Sequence, residues 1–278
     1  MTNAPSAEAR AQARAAALVF ARLHTSAAPL ALANAWDVAS ARIVEAAGAP
    51  AVATTSAGVA WSLGSPDGDA LARDRALDLV ARVAGAVSVP VTADIESGFG
   101  ADPAAVAETV AGVLAAGAVG INIEDGTRAP AEHAERVAAA RSAAEAAGIP
   151  LFVNARIDTY LFGLGDPATR LDETLARAAG YLRAGATGIF VPGVTDPATI
   201  AELARGIDAP LNILVGPGAP SVAELGALGV SRVSLGSWVA GAAYAVVRRA
   251  TEELVADGTY GPLADSLPYG ELNGLLKG

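Results

Sequence analysis

Leu114–Ile121 reads LAAGAVGI, and the same device recurs as EAAGAPAV at Glu45–Val52, EAAGIPLF at Glu145–Phe152 and RAGATGIF at Arg183–Phe190. In each, an Ala-rich helical stretch meets a glycine and turns at once into a short apolar run. Glycine ends a helix without steric cost, and runs this short suit strands better than helices. Working outward, strands are read at Leu30–Asn34, Ala51–Thr55, Val89–Asp94, Val119–Glu124, Leu151–Arg156, Gly188–Val191, Leu211–Val215 and Arg232–Leu235. Helices fill the gaps, as at Pro103–Ala116, Ala131–Ala147, Leu171–Ala184 and Val222–Leu228. Strand and helix alternate about eight times with no Asn-Gly hairpin between strands, which implies parallel strands joined by helical crossovers. At 278 residues a closed (β/α)8 barrel is the economical α/β solution. A doubly wound open sheet is the alternative. It would carry a glycine fingerprint after the first strand, where this chain reads NAWDVASA.

On this reading residues 1–278 form one barrel domain, with 239–278 as a C-terminal helical extension. The extension holds a long helix over Val239–Ala256 and a tail from Tyr260 to Gly278. The tail packs under the barrel or reaches a neighbouring subunit; the sequence leaves both open.

Composition removes more chemistry than any motif supplies. There is no Cys, so thiolate zinc sites, disulfides and a cysteine nucleophile or acid are excluded. The only Lys is Lys277, which disfavours a Schiff-base lysine inside the barrel. His24 and His133 are the only histidines, too few for a His-based metal site. His24, placed in the first helix, reads as structural, and His133, at a helix start after the fourth strand, as a surface residue rather than an acid. The net charge of −10 offers no basic surface for nucleic acid. The apolar stretch Val239–Val247 is too short to cross a membrane and is closed by Arg248-Arg249. The Ala-rich N-terminus, with Glu8, Arg10 and Arg14 spread along it, reads as an amphipathic helix and not a leader, so the expected location is the cytoplasm.

The chemistry concentrates in Val91–Gly100, VTADIESGFG, an apolar strand that runs into two carboxylates and a glycine-flanked turn. Strand alternation puts Asp94 and Glu96 on one side. Two solvated acids in a loop would look the same, but the other strand ends add to the set. Barrel active sites are built at the C-terminal ends of the strands. There the chain offers Thr54-Thr55-Ser56 with Ala57 and Gly58, then Asp67, Asn122 with Glu124, Asn154 with Arg156 and Asp158, and Asn212. Polar groups inside strands are costly unless they face a polar site. Asp67, Asp94, Glu96 and Glu124 have no lysine partner, so Mg2+, or Mn2+ in its place, is the expected cation. Arg156 is suited to grip a substrate carboxylate with its fork, or it forms an internal ion pair with Asp158. Ser56 and the amides of Ala57 and Gly58 could hold the other end of a small 2-oxo acid. Gly216-Pro217-Gly218 and Gly236-Ser237 lie where many barrels bind phosphate; with Ser221 as a helix cap nearby, a tight turn accounts for the first equally well.

Taken together, NAWDVASA, TTSAG, SLGSPD, the D-x-E-S-G-F-G loop, NIED, NARIDTY, GIFVPG and LGVSRVSLGS resemble the isocitrate lyase and phosphoenolpyruvate mutase superfamily, from about Asn34 to about Ser237. The resemblance implies a Mg2+-dependent barrel acting on 2-oxo acids through an enolpyruvate-like intermediate. It also implies a homo-oligomer, dimer or tetramer, with a C-terminal helix exchanged between subunits. Carried over residue by residue, Asp94 is the direct metal ligand, and Glu96, Glu124 and Asp67 hold the metal's waters. Arg156 grips the substrate, Ser56, Ala57 and Gly58 bind its carboxylate, and Trp36 and Asp37 match the motif after the first strand. Glu96 replaces a more usual Asp.

Two departures bear on the reaction. The loop after the fourth strand, Gly126-Thr127-Arg128-Ala129-Pro130-Ala131, is short. It lacks both the Lys/Arg-Cys-Gly-His motif of the isocitrate and methylisocitrate lyases and the Lys-Asn-Ser type motif of the phosphonomutases. Decarboxylation needs no acid at a leaving group, so the expected activity is carbon-carbon cleavage of lyase or decarboxylase type, with Arg156, Glu124 and Asp67 as the catalytic set. Phosphorus-carbon chemistry on phosphonopyruvate, a 2-oxo acid binding protein without turnover, and a sugar-phosphate barrel are the alternatives.

Overall fold

A computed structural model describes residues 7–277; residues 1–6 and Gly278, which the single-domain expectation includes, lie outside the described residues. The strands are β1 Leu30–Leu32, β2 Asn34–Ala35, β3 Val52–Thr54, β4 Val91–Asp94, β5 Gly120–Glu124, β6 Phe152–Arg156, β7 Gly188–Val191, β8 Leu211–Leu214 and β9 Arg232–Ser234. Every pairing among them is parallel, in the order β1-β9-β8-β7-β6-β5-β4-β3-β2. Only Ala33 separates β1 from β2, so the two are halves of one stave and the sheet closes into a (β/α)8 barrel. The expected unbroken strand over Leu30–Asn34 splits because its first half pairs with β9 and its second with β3. Asn34 holds the seam. Its Oδ1 accepts the Gly236 N–H at 2.8 Å, and its Nδ2 donates to the Thr54 carbonyl at 2.9 Å.

The surrounding helices are α1 Ala7–Arg22, α2 Val38–Ala46, α3 Ser56–Ser62, α4 Arg73–Ala86, α5 Pro103–Ala115, α6 Pro130–Ala147, α7 Arg170–Arg183, α8 Pro197–Gly206, α9 Val222–Ala227, α10 Trp238–Asp257 and α11 Tyr269–Leu275. Their starts follow local chemistry: Asp37, Asp102, Asp196 and Ser221 cap α2, α5, α8 and α9 by accepting backbone N–H groups of the first turn. The outward side chains of the staves, among them Ile121, Ile123, Val153 and Ile189, pack on Val110, Val137, Ala178 and Leu203 from the helices. This shell is the main hydrophobic core.

The barrel floor is closed by α1, which lays Phe20 against Leu30, Leu32 and Phe152. Gly120 makes room for it: a Cβ there would lie 2.7 Å from Phe20 Cε1, inside contact distance. His24 lies just beyond α1 rather than within it and is structural, as expected. It stacks on Phe152 at 3.9 Å between ring centroids, with Nδ1 2.9 Å from the Phe20 carbonyl oxygen. The C-terminal segment is different in kind. α10 buries Ala240 alone and leaves Trp238, Tyr244, Val247, Leu254 and Val255 exposed, while α11 returns to lie against α2. Among the described residues no helix is long and apolar enough to cross a membrane.

Candidate active site

The polar strand ends converge on one rim of the barrel. β4 delivers Asp94, whose backbone N–H is fixed by the Thr54 hydroxyl at 2.9 Å. β5 delivers Glu124 and β6 Arg156, which face each other in register, with Arg156 Nη1 2.5 Å from Glu124 Oε2. Arg156 Nε donates to Asp158 Oδ1 at 2.7 Å. The guanidinium therefore sits between two carboxylates, and the ion-pair reading of Arg156 holds; with Nε and Nη1 engaged, Nη2 is the part of the fork left for a ligand. Asp67 lies exposed in the loop before α4, and its charge acts on Asp94, Glu96 and Glu124.

Glu96 corrects the alternation argument. β4 ends at Asp94, and Glu96 takes a left-handed φ of 51°, so the two acids do not simply share one strand face. The Glu96 carboxylate instead receives the backbone N–H of Asp69, leaving buried Oε1 without a partner. Asp69 in turn accepts the Ser97 N–H at 3.3 Å and lies 3.8 Å from Arg128 Nη2. Asp69, Glu96 and Phe99, with φ of 60°, 51° and 48°, are the only non-glycine residues of positive φ among those described. All three gather beside one cavity of about 450 Å3, which Asp69, Arg73, Ser97, Phe99 and Arg128 line. Backbone strain of this kind costs free energy, and here it is confined to one spot beside a cleft.

The electrostatics agree. Burial pushes Glu124 up to about 8, with Asp94, Asp158 and Asp67 adding to it against the opposing pull of Arg156. Burial likewise pushes Glu96 up to about 7, helped by Asp67, Asp69 and Asp94, and raises Asp94. Burial disfavours the charge on Arg156, but Glu124, Asp158 and Asp94 more than offset it and push the guanidinium up from its ordinary value. Among the described residues no three His, Cys, Asp or Glu side chains form a ready metal-ligand group. An all-oxygen donor set, crowded carboxylates raised by burial and an orphaned Glu96 oxygen nevertheless fit a hard cation. Mg2+ is commonly held by one or two carboxylates and otherwise by water.

The remaining expected residues fall into two groups. Ser56, Ala57 and Gly58 are not a loop but the buried first turn of α3, after an N-cap, Thr55, that makes no side-chain bond. The fold overrides the poor helix propensity of this stretch because Gly58 lets α3 close on its neighbours. A Cβ there would lie 2.9 Å from Trp36 Cβ and 3.2 Å from Ala240 Cβ. Trp36, half-buried after β2, is thus part of the same wall. Asn122 and Asn212 lie deeper, in a buried polar layer. Asn154 Nδ2 donates to Asn122 Oδ1 at 2.9 Å, Arg232 Nη2 reaches Asn122 Oδ1 at 3.3 Å, and Asn212 Nδ2 donates to Ser234 Oγ at 3.0 Å.

His133 is fully buried, against the expectation of a surface position. Its ring packs edge-on to Tyr181 at 4.6 Å, and burial, with Arg128, Arg136 and Arg177 nearby, pushes it down to about 3. α6 carries polar residues on its buried face, His133 and Arg136 among them, so no apolar stripe marked that face in advance. Gly216-Pro217-Gly218 forms a tight turn, with Ala219 N donating to the Gly216 carbonyl at 3.1 Å and the Trp238 indole over Gly216. Sequence reasoning missed Asp69 and Asp125. Asp69 is two residues beyond Asp67 in the same glycine-containing run. Asp125 is fully buried beside Glu124, and the signal that could have found it is the Arg177–Tyr181 pair, four apart on the inner face of α7.

A parallel barrel with acids and an arginine gathered on its C-terminal rim defines a class of barrel enzyme. Comparison with known proteins narrows it. The profile of the phosphoenolpyruvate phosphomutase family matches residues 20–255. An uncharacterized protein of Mycobacterium tuberculosis H37Rv is 41% identical over 259 residues, 92% of this chain and 95% of that one. The 2-methylisocitrate lyase of Escherichia coli K12 is 30% identical over 195 residues, 66% of this chain and 64% of that enzyme. A lyase/mutase candidate from Burkholderia cenocepacia J2315 superposes with a TM-score of 0.87 at 41% identity, over 95% of this chain and 96% of that one. A phosphonopyruvate hydrolase solved with oxalate and Mg2+ gives 0.78 at 26% identity, over 93% and 95%. The chain belongs to the phosphoenolpyruvate phosphomutase family, within the isocitrate lyase superfamily of lyases and mutases.

Proposed function

We propose that this chain is a Mg2+-dependent enzyme that binds a small 2-oxo acid and cleaves a carbon-carbon bond next to the enolate, as a lyase or decarboxylase. The observation that carries the reading is the rim itself: Arg156 opposed by Glu124, Asp94 and Asp158, with carboxylates raised by burial and no lysine to neutralise them. Asp94 is the residue assigned to the cation, Mg2+ or Mn2+, with Glu96, Glu124 and Asp67 holding its waters. When bound, the cation polarises the keto group and offsets the charge that develops on the enolate. The chain supplies the rest. Arg156 grips the substrate through Nη2, Ser56 and the first-turn amides of Ala57 and Gly58 bind its carboxylate, and Trp36 walls the site. Asn122 and Asn212 are assigned to the floor that supports these groups. The Arg128 loop is short and has no cysteine, so it brings no thiol acid to a leaving group.

Residues 1–278 are proposed as one barrel domain with 239–278 as its extension, working as a homo-oligomer, dimer or tetramer, in the cytoplasm. Exposed apolar residues along α10 support association between copies.

The deciding experiment is calorimetric binding of oxalate, which mimics the enolate of pyruvate, with and without Mg2+. Binding only with the cation is the expected result and leads to turnover assays on oxaloacetate, methylisocitrate and phosphonopyruvate. Phosphate release from phosphonopyruvate would replace carbon-carbon with phosphorus-carbon chemistry; no binding under either condition would overturn the proposal.

A further inference from the structure

Arg156 is oriented by Asp158, and Asp158 is oriented in turn by a residue on the far side of the barrel wall. Asp158 is fully buried. Its backbone N–H donates to Asp125 Oδ1 at 2.9 Å, while its Oδ2 accepts the Gly126 N–H at 3.2 Å. Asp125 also ties both strands and the loop through its backbone. Its N–H donates to the Arg156 carbonyl at 3.1 Å, and its carbonyl accepts the Arg128 N–H at 2.9 Å. Because Glu124 faces the rim, its neighbour Asp125 points outward, toward α7.

There the second carboxylate oxygen is gripped. Asp125 Oδ2 accepts from Arg177 Nη1 at 2.8 Å and from the Tyr181 hydroxyl at 2.8 Å. Arg177 is itself held by Glu173 at 2.6 Å, and Tyr181 is wedged by the His133 ring. A third tie joins α7 to the same strand exit, Thr174 Oγ1 to Thr159 Oγ1 at 2.6 Å. Thr174, Arg177 and Tyr181 are spaced to lie on one helical face, and all are buried. A buried carboxylate with both oxygens fully engaged has one available geometry.

We propose that Asp125 is a positioning residue of this active site: clamped from behind by Arg177 and Tyr181 of α7, it sets Asp158 and the root of the Arg128 loop, and through them the orientation of the Arg156 fork. The inference rests on the proposed role of Arg156 in substrate binding. Helix α7 thereby supports a rim residue through Asp125, as outer partners do for ligands in metal sites.

The test uses Asp125→Asn, which keeps shape and Oδ1 but offers Arg177 and Tyr181 no second carboxylate oxygen. Tyr181→Phe is the milder variant should the first fail to fold. Two readouts are taken on the full chain. In the ligand-free protein, exchange of the Arg156 Nε–H with water, followed by NMR, should accelerate about tenfold in Asp125→Asn, the loss expected for one weakened charge-assisted bond. With Mg2+, oxalate affinity should fall by about tenfold, in the range seen for outer-partner changes.

Arg141→Met is the control for simple destabilisation, since Arg141 binds Gly185, Leu151 and Thr187 at the opposite end of the barrel. It should lower the melting temperature without moving either readout. Unchanged Arg156 exchange in both Asp125→Asn and Tyr181→Phe would overturn the positioning role. Accelerated exchange in Arg141→Met to the same degree would also overturn it, reducing the effect to general loosening. Failure of the wild-type protein to bind oxalate would sink the proposed function instead, leaving the exchange measurement to decide the role of Asp125.

Discussion

Arg156 and Asp158, two residues apart at the exit of one strand, are joined by a 2.7 Å bond from Nε to Oδ1 in which the carboxylate is wholly shielded from water. Replacing one partner of such a pair strands the other. Arg156→Met is expected to cost about 3–5 kcal/mol, the range for breaking a buried ion pair. It leaves Asp158 unpaired and Glu124 facing Asp94 uncompensated. A thermal melt at neutral pH checks this, and Arg156→Lys separates charge from shape. A lysine ammonium cannot serve Asp158, Glu124 and a ligand together. Oxalate affinity should drop tenfold to a hundredfold, which corresponds to one charge-assisted hydrogen bond of about 1.5–3 kcal/mol.

Asp94 is the opposite case. Its side chain accepts the Glu96 N–H at 3.2 Å and a hydrogen bond from Asn122, while burial raises its carboxyl against the opposing pull of Arg156, with Asp67 adding to the rise. Asp94→Ala relieves the burial of a carboxylate but also removes its attraction to Arg156 and Arg232, so the melting temperature should change little. Metal-dependent oxalate binding should vanish in calorimetry. Retained Mg2+ dependence in this variant would move the cation elsewhere on the rim.

The barrel was legible because its signals are local: a glycine at each helix end, an apolar run after it, and the absence of hairpin turns. The rim residues were legible for a related reason, since polar side chains alternating inside apolar strands have no cheap structural explanation. What escaped depends on tertiary contact. Glu96 leaves the strand pattern because Asp69, from another loop, draws its carboxylate away. The Ser56–Ser62 helix forms because Gly58 admits Trp36 and Ala240. His133 is buried on a helix face that also carries Arg136, so its polarity pointed to the wrong side.

The two histidines make acid stability predictable. Burial holds both His24 and His133 down to about 3, from an ordinary value of 6.5. Below pH 6.5 the unfolded chain takes up protons that the folded protein refuses, so stability falls as pH drops from about 6.5 toward 3. Each histidine steepens that fall by up to about 1.4 kcal/mol per pH unit. Both ring nitrogens of His133 lack a partner, so His133→Leu should cost little at pH 7 and should flatten the acid limb of denaturant midpoints measured from pH 7 to pH 4. An unchanged limb would mean that His133 gains its proton without unfolding.

Along α10, Tyr244, Val247, Leu254 and Val255 are spaced to fall within one stripe of the helix, and Val247 and Val255 are 61% and 80% exposed. Isolated exposed apolar residues are ordinary, but a helix that buries only Ala240 and presents such a stripe carries an apolar patch of the kind found at interfaces. A second copy of this chain is the expected cover, because the net charge of −10 is moderate and α10 itself carries Arg248 and Arg249 beside Glu252 and Glu253, which can pair across a two-fold axis. Light scattering should therefore give a multiple of 27.5 kDa for the wild type. The double substitution Val247→Asp and Leu254→Asp should give the single-chain mass with the fold retained by circular dichroism. A wild type that already runs as a single chain would leave α10 without a self-partner.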